Sequence, residues 1–403
     1  MKYILIVADG MSDYPVEELN GKTPLMISEK PNIDEIALKG RCGLLKTIPN
    51  DMPAGSDIAN LSILGYDPRI YYTGRGPLEA ASIGIPLGKS DIAFRCNLIT
   101  VEKGEIKDYS AGHISDGESR ELIDTLNQRF GSDKICFYSG VSYRNLMVLK
   151  DDINPEDIET TPPHDALGKK IKEVLIRSKE RSKTGLINIL NDIVVDSKKV
   201  LEKHPVNIKR IEEGKNPANM IWLWGQGRAP KMTPFLEKYN LRGSVISAVD
   251  LIKGIGVFTK MNVINVPGAT GYYNTDYKAK AEYTLRALED SDFVFLHIES
   301  PDEAGHAGDI EEKVKAIERI DKFVVGRILD SGIEDLSIGI MSDHHTPVSV
   351  KTHVKDPAPF ALYDPLKEGD DVKKFDEESV RKGIFGIIEE GFLRTFFKVE
   401  KLK

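Results

Sequence analysis

The sequence predicts an α/β fold, a mostly parallel sheet flanked by helices and interrupted by a smaller α+β module. Three observations carry this expectation. First, Asp292-Phe-Val-Phe-Leu-His-Ile298 and Ser337-Ile-Gly-Ile-Met341 are continuous apolar runs of the kind found in strands buried on both faces. Second, Val314, Ile317, Ile320, Val324 and Ile328 lie between those runs at a helical period, which makes the segment a strand–helix–strand unit. Third, the texture changes between about Pro77 and Gly227, where hairpins and helices replace buried runs. The expected organisation is a discontinuous α/β domain over 1–76 and 230–403, with an inserted α+β domain over 77–229.

Along the chain, Tyr3 to Val7 reads as a buried strand with Asp9 and Gly10 at its end. Thr23-Pro-Leu opens a helix, and Pro31 to Gly40 a clearer one, with Pro at its start and Gly at its end. Ser56, behind a flexible Gly55, begins a short helical pattern. In the insert, Asp91 to Val101 and Ile106 to Tyr109 form a hairpin around Glu102-Lys-Gly-Glu105. Lys134 to Tyr138 and Ser142 to Leu149 form a second, turning at Ser139-Gly140. Glu118 to Phe130 is helical, as is Leu167 to Glu202 with a break near Lys183, and Asn219 to Trp224 closes the insert as a strand. Strands at Gly243 to Ser247 and Asn262 to Val266, with helices at Ala248 to Ile255 and Tyr277 to Leu288, lead back into Phe293. The helix after Asp309 has Asp309 and Glu312 as a capping box and Gly332 past its end.

Composition narrows the function. A chain of 403 residues exceeds one ordinary domain, and 40% hydrophobic with 29% charged residues fits a soluble globular protein. No apolar run reaches the roughly 18 residues of a membrane span, and the apolar start is too short for a signal peptide, so a cytoplasmic location is expected. Cys42, Cys96 and Cys136 are expected as reduced thiols. A net charge of -8 argues against nucleic acid or anionic membrane as partner. There is no P-loop, and Gly254-Ile-Gly256 lacks the third glycine of a dinucleotide fingerprint.

The chemistry concentrates between Asp302 and His353. Asp302-Glu-Ala-Gly-His306, Ser342-Asp343-His344-His345 and His353 bring carboxylate and imidazole together, the ligand types of Zn2+, Mn2+ or Fe2+. Asp302 and His306 are spaced to share one ion in a Gly-containing loop. With Asp343 and His344 they sit at the carboxyl ends of two predicted strands, where open α/β sheets bind ligands. Taken alone, Asp9 at a strand end is as readily a metal or catalytic carboxylate as a cap or turn residue, and Ser56 reads as a helix cap. A serine becomes a nucleophile only where a base or metal activates it.

As a set, Asp9, Ser56, Asp302, His306, Asp343, His344 and His353 resemble the bimetal signature of the alkaline-phosphatase superfamily. More closely, the whole chain resembles the archaeal-type cofactor-independent phosphoglycerate mutases. The matching stretches include Pro53-Ala-Gly-Ser56-Asp-Ile-Ala, Gly74-Arg-Gly-Pro-Leu-Glu-Ala-Ala81, Ile221-Trp-Leu-Trp-Gly-Gln-Gly227 and Val266-Pro-Gly-Ala-Thr-Gly271. The resemblance implies two divalent ions of the Mn2+ type, with Zn2+ or Co2+ as alternatives, and neither bisphosphoglycerate nor nucleotide as cofactor. Asp302, His306 and His353 would hold one ion, and Asp9, Ser56, Asp343 and His344 the other. Ser56 would be phosphorylated, the insert would grip the glycerate, and 2- and 3-phosphoglycerate would interconvert. Ser12 and His345 depart from the usual pattern, and His345 adds a further candidate ligand or acid.

A mutase also needs a carboxylate clamp and a proton carrier. Arg144 and Arg228 are the guanidinium candidates, since arginine forks match carboxylate and phosphate. His113, with an unperturbed pKa near neutrality, is the acid/base candidate. Arg144 could equally be a hairpin-face charge, His204 reads as structural, and Trp222 and Trp224 as core or interface. The competing readings are a metal-dependent phosphomonoesterase or other phosphotransferase on the same site, and a non-catalytic sensor, which would need no nucleophile.

Overall fold

The two long apolar runs lie near the centre of an eight-stranded sheet. The order across it is Asn262–Ile264, Gly243–Ile246, Phe293–Ile298, Lys2–Ala8, Leu336–Met341, Ala358–Tyr363, Arg41–Leu45, Ile387–Ile388. Every pairing is parallel except those of Ala358–Tyr363, which is antiparallel to both neighbours. This computed structural model describes residues 1–179 and 184–397. The chain divides into two units, Met1–Tyr72 with Lys231–Lys403 and, separately, Thr73–Pro230.

In the larger unit the register aligns Ala8 with Ile298 and Val7 with Met341. Three adjacent strands therefore end at one level, and the polar residues after them start from a common edge. Side chains alternate across each strand. Ile4, Ile6, Val294, Leu296, Ile298, Ile338 and Ile340 pack against Ile33, Ile36, Leu288, Ile317, Ile320 and Ile328 of the covering helices. The opposite face carries aromatics: Phe235 stacks on Phe293 at 5.3 Å, and Phe397 meets Phe293 and Tyr3 edge-on at 5.0 Å. Helix Pro31–Lys39 starts on a proline, and its free N-terminal Ile33 N–H donates to Asp321 Oδ1 at 2.7 Å.

Several expectations change here. Asp302 and His306 lie not in a loop but on a helix, Ser300–Ala307, ended by Gly308 at φ +73°. Pro301 is tolerated in its first turn, and Gly305 is required because a Cβ there would come within 2.3 Å of the Thr346 carbonyl oxygen. Asp309 does cap the next helix through the Glu312 N–H at 2.9 Å, but the Glu312 carboxylate pairs with Arg319, so the capping box is half made. That helix continues from Ile310 through a π segment, Asp321–Val325, to Leu329.

The smaller unit is built on an antiparallel sheet of Glu105–Asp108, Asp91–Glu102, Arg144–Lys150 and Ile135–Val141, with Met220–Gly227 paired to Asp91–Glu102. Helix Asp116–Phe130 has a true capping box from Ser115 and Glu118, and it packs Leu122, Ile123 and Leu126 into the unit's core. The second hairpin turns at Ser142, φ +55°, rather than at Ser139-Gly140. Leu167 to Glu202 is not one helix: a short turn at Ile171–Val174 and a strand at Arg177–Ser178 precede helix Thr184–Leu201. The expected break at Lys183 lies outside the described residues. Residues from Thr73 group with this unit because helix Arg75–Ser82 seats on its strands, where a Cβ at Gly76 would stand 2.2 Å from the Ala93 carbonyl oxygen.

Candidate metal centre

The polar residues beyond the three aligned strand ends converge. Asp9 follows Lys2–Ala8 directly, and Gly10 turns the chain at φ +59°. A side chain at Gly10 would meet Asp302 Oδ1 at 2.6 Å, so only glycine lets the two segments close. Its N–H donates to Asp343 Oδ1 at 3.1 Å, and the His344 N–H reaches the same oxygen at 3.0 Å.

Ser56 is the first residue of helix Ser56–Ile63, after an extended Gly55. Its Oγ lies 3.1 Å from His344 Nε2. One turn on, the Asn60 side-chain amide donates to the Ser56 carbonyl at 2.8 Å and to Asp343 Oδ2 at 2.9 Å, which clamps the serine's helix to the ligand-bearing strand. His344 Nε2 is also 3.3 Å from Asp9 Oδ1 and 3.5 Å from Asp343 Oδ2.

Asp302 and His306 occupy one face of their helix, with His306 Nε2 3.2 Å from Asp302 Oδ2. His353 Nε2 is 3.4 Å from Asp302 Oδ1 and 2.9 Å from His306 Nε2. The Lys351 carbonyl takes His306 Nδ1 at 3.0 Å, leaving Nε2 facing the cluster. Side-chain exposure grades from 0% at Asp343 and His344 to 37% at His306, so the centre opens on the His306 side.

Among the described residues, three sets could each hold a cation: Asp302 with His306 and His353, Asp9 with Asp302 and His344, and Asp9 with His297 and Asp343. The electrostatics fit that use. Burial, then the charges of Asp343 and Asp302, drives the Asp9 carboxyl far above its ordinary pKa. Burial also acts on Asp302 and Asp343, but there the facing imidazoles win and hold both carboxyls below their usual range. Among the described residues Asp9 Oδ1 has no hydrogen-bond partner. A buried acid forced to keep its proton beside two carboxylates lacks positive charge, and a divalent cation supplies it. Burial lowers His344 to about 4, so its ring is neutral at pH 7 and free to donate a lone pair.

His345 is not in these sets: its Nδ1 lies 3.0 Å from the Ser12 hydroxyl, and its ring packs beside Tyr14 at 6.0 Å. Sequence reasoning passed over His297, which is fully buried at the end of an apolar strand, with Nε2 3.4 Å from Asp9 Oδ2. Its signal was Glu299, two residues on, just past the end of the strand. Lys313 was also overlooked; its buried Nζ donates to Asp13 Oδ2 at 2.7 Å, the Thr346 carbonyl at 2.8 Å and the Ser12 carbonyl at 3.2 Å. It ties together the two segments that flank the centre.

His113, Arg144 and Arg228 all belong to the smaller unit. His113 is exposed and ends three successive left-handed residues, Ala111, Gly112 and His113, at φ +50°, +63° and +50°. Asp108 holds this turn by accepting the Ser110 N–H at 2.8 Å and the Gly112 N–H at 2.6 Å, and Arg210 donates to the Ala111 carbonyl at 2.7 Å. Non-glycine residues in that region cost of order 1 kcal/mol each and cluster at functional sites. Arg144 starts a strand, exposed, with its guanidinium 5.4 Å from the Tyr143 ring centre. Arg228 donates to the Ile153 carbonyl at 3.0 Å and to Asp152 at 3.3 Å. His204 is structural: Nδ1 accepts the Val206 N–H at 3.3 Å as a helix cap. Trp222 and Trp224 are buried, their N–H groups donating to Thr161 at 2.7 Å and Asn97 at 3.0 Å.

The comparisons agree with one another. A model of the family described as 2,3-bisphosphoglycerate-independent phosphoglycerate mutase matches residues 37–207. A protein of that name from Methanosarcina barkeri is 53% identical over 96% of this chain and 97% of its own length. One from Ignicoccus hospitalis is 39% identical over 96% and 94%. Among solved structures, a Pyrococcus horikoshii protein aligns with a TM-score of 0.83 at 33% identity, covering 100% of this chain and 99% of its own. A cofactor-independent phosphoglycerate mutase from Thermoplasma acidophilum aligns at 0.66 and 29%, covering 99% of each.

Proposed function

This chain belongs to the family of 2,3-bisphosphoglycerate-independent phosphoglycerate mutases, and we propose that its isomerisation of 2- and 3-phosphoglycerate passes through a phosphoserine at Ser56. The observation that carries the proposal is the 3.1 Å approach of Ser56 Oγ to His344 Nε2, inside a buried cluster of carboxylates and imidazoles. Asp302, His306 and His353 would hold one divalent ion, and Asp9, Asp343 and His344, with Ser56, the other. Asp and His donors without cysteine suit Mn2+. When bound, such ions lower the pKa of the serine hydroxyl and neutralise charge on the phosphoryl oxygens.

The chain's own groups do the rest. Ser56 stands at the N-terminus of an eight-residue helix, whose unpaired N–H groups and dipole favour a phosphoryl group there. Asn60 keeps the hydroxyl in register with Asp343. In the first half-reaction Ser56 Oγ gives up its proton and bonds to phosphorus as the P–O bond to one glycerate oxygen breaks, and the released alkoxide takes a proton. In the second, the other hydroxyl loses a proton and attacks the phosphoserine, returning Ser56. We assign the proton carrier to His113 and the carboxylate and phosphate contacts to Arg144 and Arg228, residues whose types suit those tasks.

Ser56→Ala is expected to lower mutase turnover by at least about 1,000-fold, the scale of losing a covalent nucleophile, while metal content stays at the wild-type level. A quenched reaction with ³²P-labelled substrate should label wild type on Ser56 and leave the variant unlabelled. Near-native turnover in the variant, or steady release of inorganic phosphate by wild type, would overturn this reading.

A further inference from the structure

His297 is fully buried, yet its ring is polar at both nitrogens. Nδ1 lies 3.3 Å from Glu299 Oε1. That carboxylate is itself fixed: Oε1 accepts the Ser247 hydroxyl at 2.9 Å and the Ala248 N–H at 3.0 Å, and Oε2 accepts Lys280 Nζ at 2.7 Å. Lys280, 0% exposed, also donates to the His297 carbonyl at 3.0 Å. A carboxylate that accepts three donors on its two oxygens takes the Nδ1–H as well, so Nδ1 carries the hydrogen, and with a cation in place of the Nε2 proton Nε2 would present its lone pair.

Among the described residues Nε2 has no hydrogen-bond partner, and it faces Asp9 Oδ2 at 3.4 Å and Asp343 Oδ2 at 4.0 Å. Neighbouring ligand atoms that share a divalent ion at about 2.1 Å stand roughly 3.0–3.4 Å apart, so the 3.4 Å approach to Asp9 suits atoms on one cation. Burying Lys280 and Glu299 is costly, and a fully apolar strand would pack equally well. Glu299 meets the imidazole directly, and Lys280 reaches it only through Glu299 and the His297 carbonyl.

We infer that His297 is a further ligand, through Nε2, of the cation held by Asp9 and Asp343, with Glu299 and Lys280 fixing its tautomer and orientation. Carboxylate–histidine–metal arrays of this kind are a general device for orienting ligands. The inference rests on the two-cation reading above, and its test separates the two.

The test uses the full chain, stripped of metal and titrated with Mn2+, with bound metal counted by mass spectrometry after gel filtration. Wild type is expected to bind two ions per chain. His297→Asn, whose shorter amide cannot reach, should keep the ion of Asp302, His306 and His353 and bind the other at least about tenfold more weakly. Glu299→Gln should weaken the same ion by a smaller factor. Pulsed electron paramagnetic resonance of the Mn2+-loaded wild type should show nitrogen couplings from His297 in addition to His344 at that ion. This arm needs no variant and decides the matter if His297→Asn fails to fold. Two ions bound unchanged in His297→Asn, or a wild-type spectrum with His344 alone at the second ion, overturns the ligand and leaves the two-cation reading standing. A wild type that binds no Mn2+ overturns both.

Discussion

The two units carry their candidate residues in opposite ways. In the larger one, Asp9, Asp343, His344 and His297 are buried at strand ends and answer chiefly to one another, leaving Asp9 Oδ1 and His297 Nε2 without hydrogen-bond partners among the described residues. In the smaller one, His113 and Arg144 are exposed, and Arg228 is occupied by Ile153 and Asp152. Burial of unpaired polar groups is expensive, so the first arrangement persists only if something completes it. Exposure costs nothing and therefore says less. The stability of the larger unit should thus depend on its polar network, whereas substitutions in the smaller should act on catalysis.

The largest stability effect expected from that contrast is at Lys313. Burial lowers its pKa even though Asp13 faces it, and its ammonium is 0% exposed. Lys313→Met would leave the Asp13 carboxylate buried without a cation, at a cost of about 3–5 kcal/mol, the range seen when one partner of a buried pair is removed. Urea unfolding followed by circular dichroism measures this. A loss under about 1 kcal/mol would show that the network tolerates an uncompensated charge, and the contrast between the units would fail.

At His113 the effect should be on rate alone. His113→Ala is expected to lower kcat by about 100-fold or more, with KM changed by no more than a few-fold, and to leave the unfolding midpoint in place. The ring is exposed and meets the Tyr143 ring at 6.0 Å between centres, so little packing is lost. An unchanged kcat would remove His113 from proton transfer and leave its left-handed backbone without a functional reason.

The same contrast explains how much was legible in the sequence. Strands such as Phe293–Ile298 announced themselves because a strand buried on both faces must be apolar throughout. The cluster of Asp302, His306, Asp343, His344 and His353 was legible because these residue types are dense there and too costly to bury idle. His297 was not, since an imidazole inside an apolar run looks like a tolerated exception until Glu299 and Lys280 are seen behind it. Lys280 and Lys313 sit on helices whose pattern alone reads them as solvent-facing, and only tertiary packing shows otherwise. The helix under Asp302 was hidden by Pro301 and Gly305, both breakers in isolation, because the need for Gly305 lies in the distant Thr346 carbonyl. Arg41–Leu45 and Ala358–Tyr363 escaped for a related reason: a central Gly43 and an early Pro359 weaken any strand signal.

The smallest expected effects separate the two arginines. Arg228 gives a hydrogen bond to the Ile153 carbonyl at 3.0 Å, and its partner Asp152 is 94% exposed, so that ion pair contributes little. Arg228→Ala should therefore cost about 1 kcal/mol of stability through the lost carbonyl contact, along with any loss in substrate affinity. Arg144 stands exposed at the start of its strand, over Tyr143. Arg144→Ala should leave the unfolding midpoint where it is and raise KM about tenfold, the scale of one charge-assisted contact to a carboxylate or phosphate. Arg144→Lys distinguishes a fork from a point charge: a guanidinium gripping with two N–H groups is not replaced by an ammonium, so KM should stay raised. If KM is unchanged in Arg144→Ala and Arg228→Ala alike, neither residue touches the substrate. The smaller unit's contribution would then have to come from other groups of that unit, with Arg75 and Arg95, whose guanidiniums lie 5.5 and 4.8 Å from the Trp224 ring centre, the next to test.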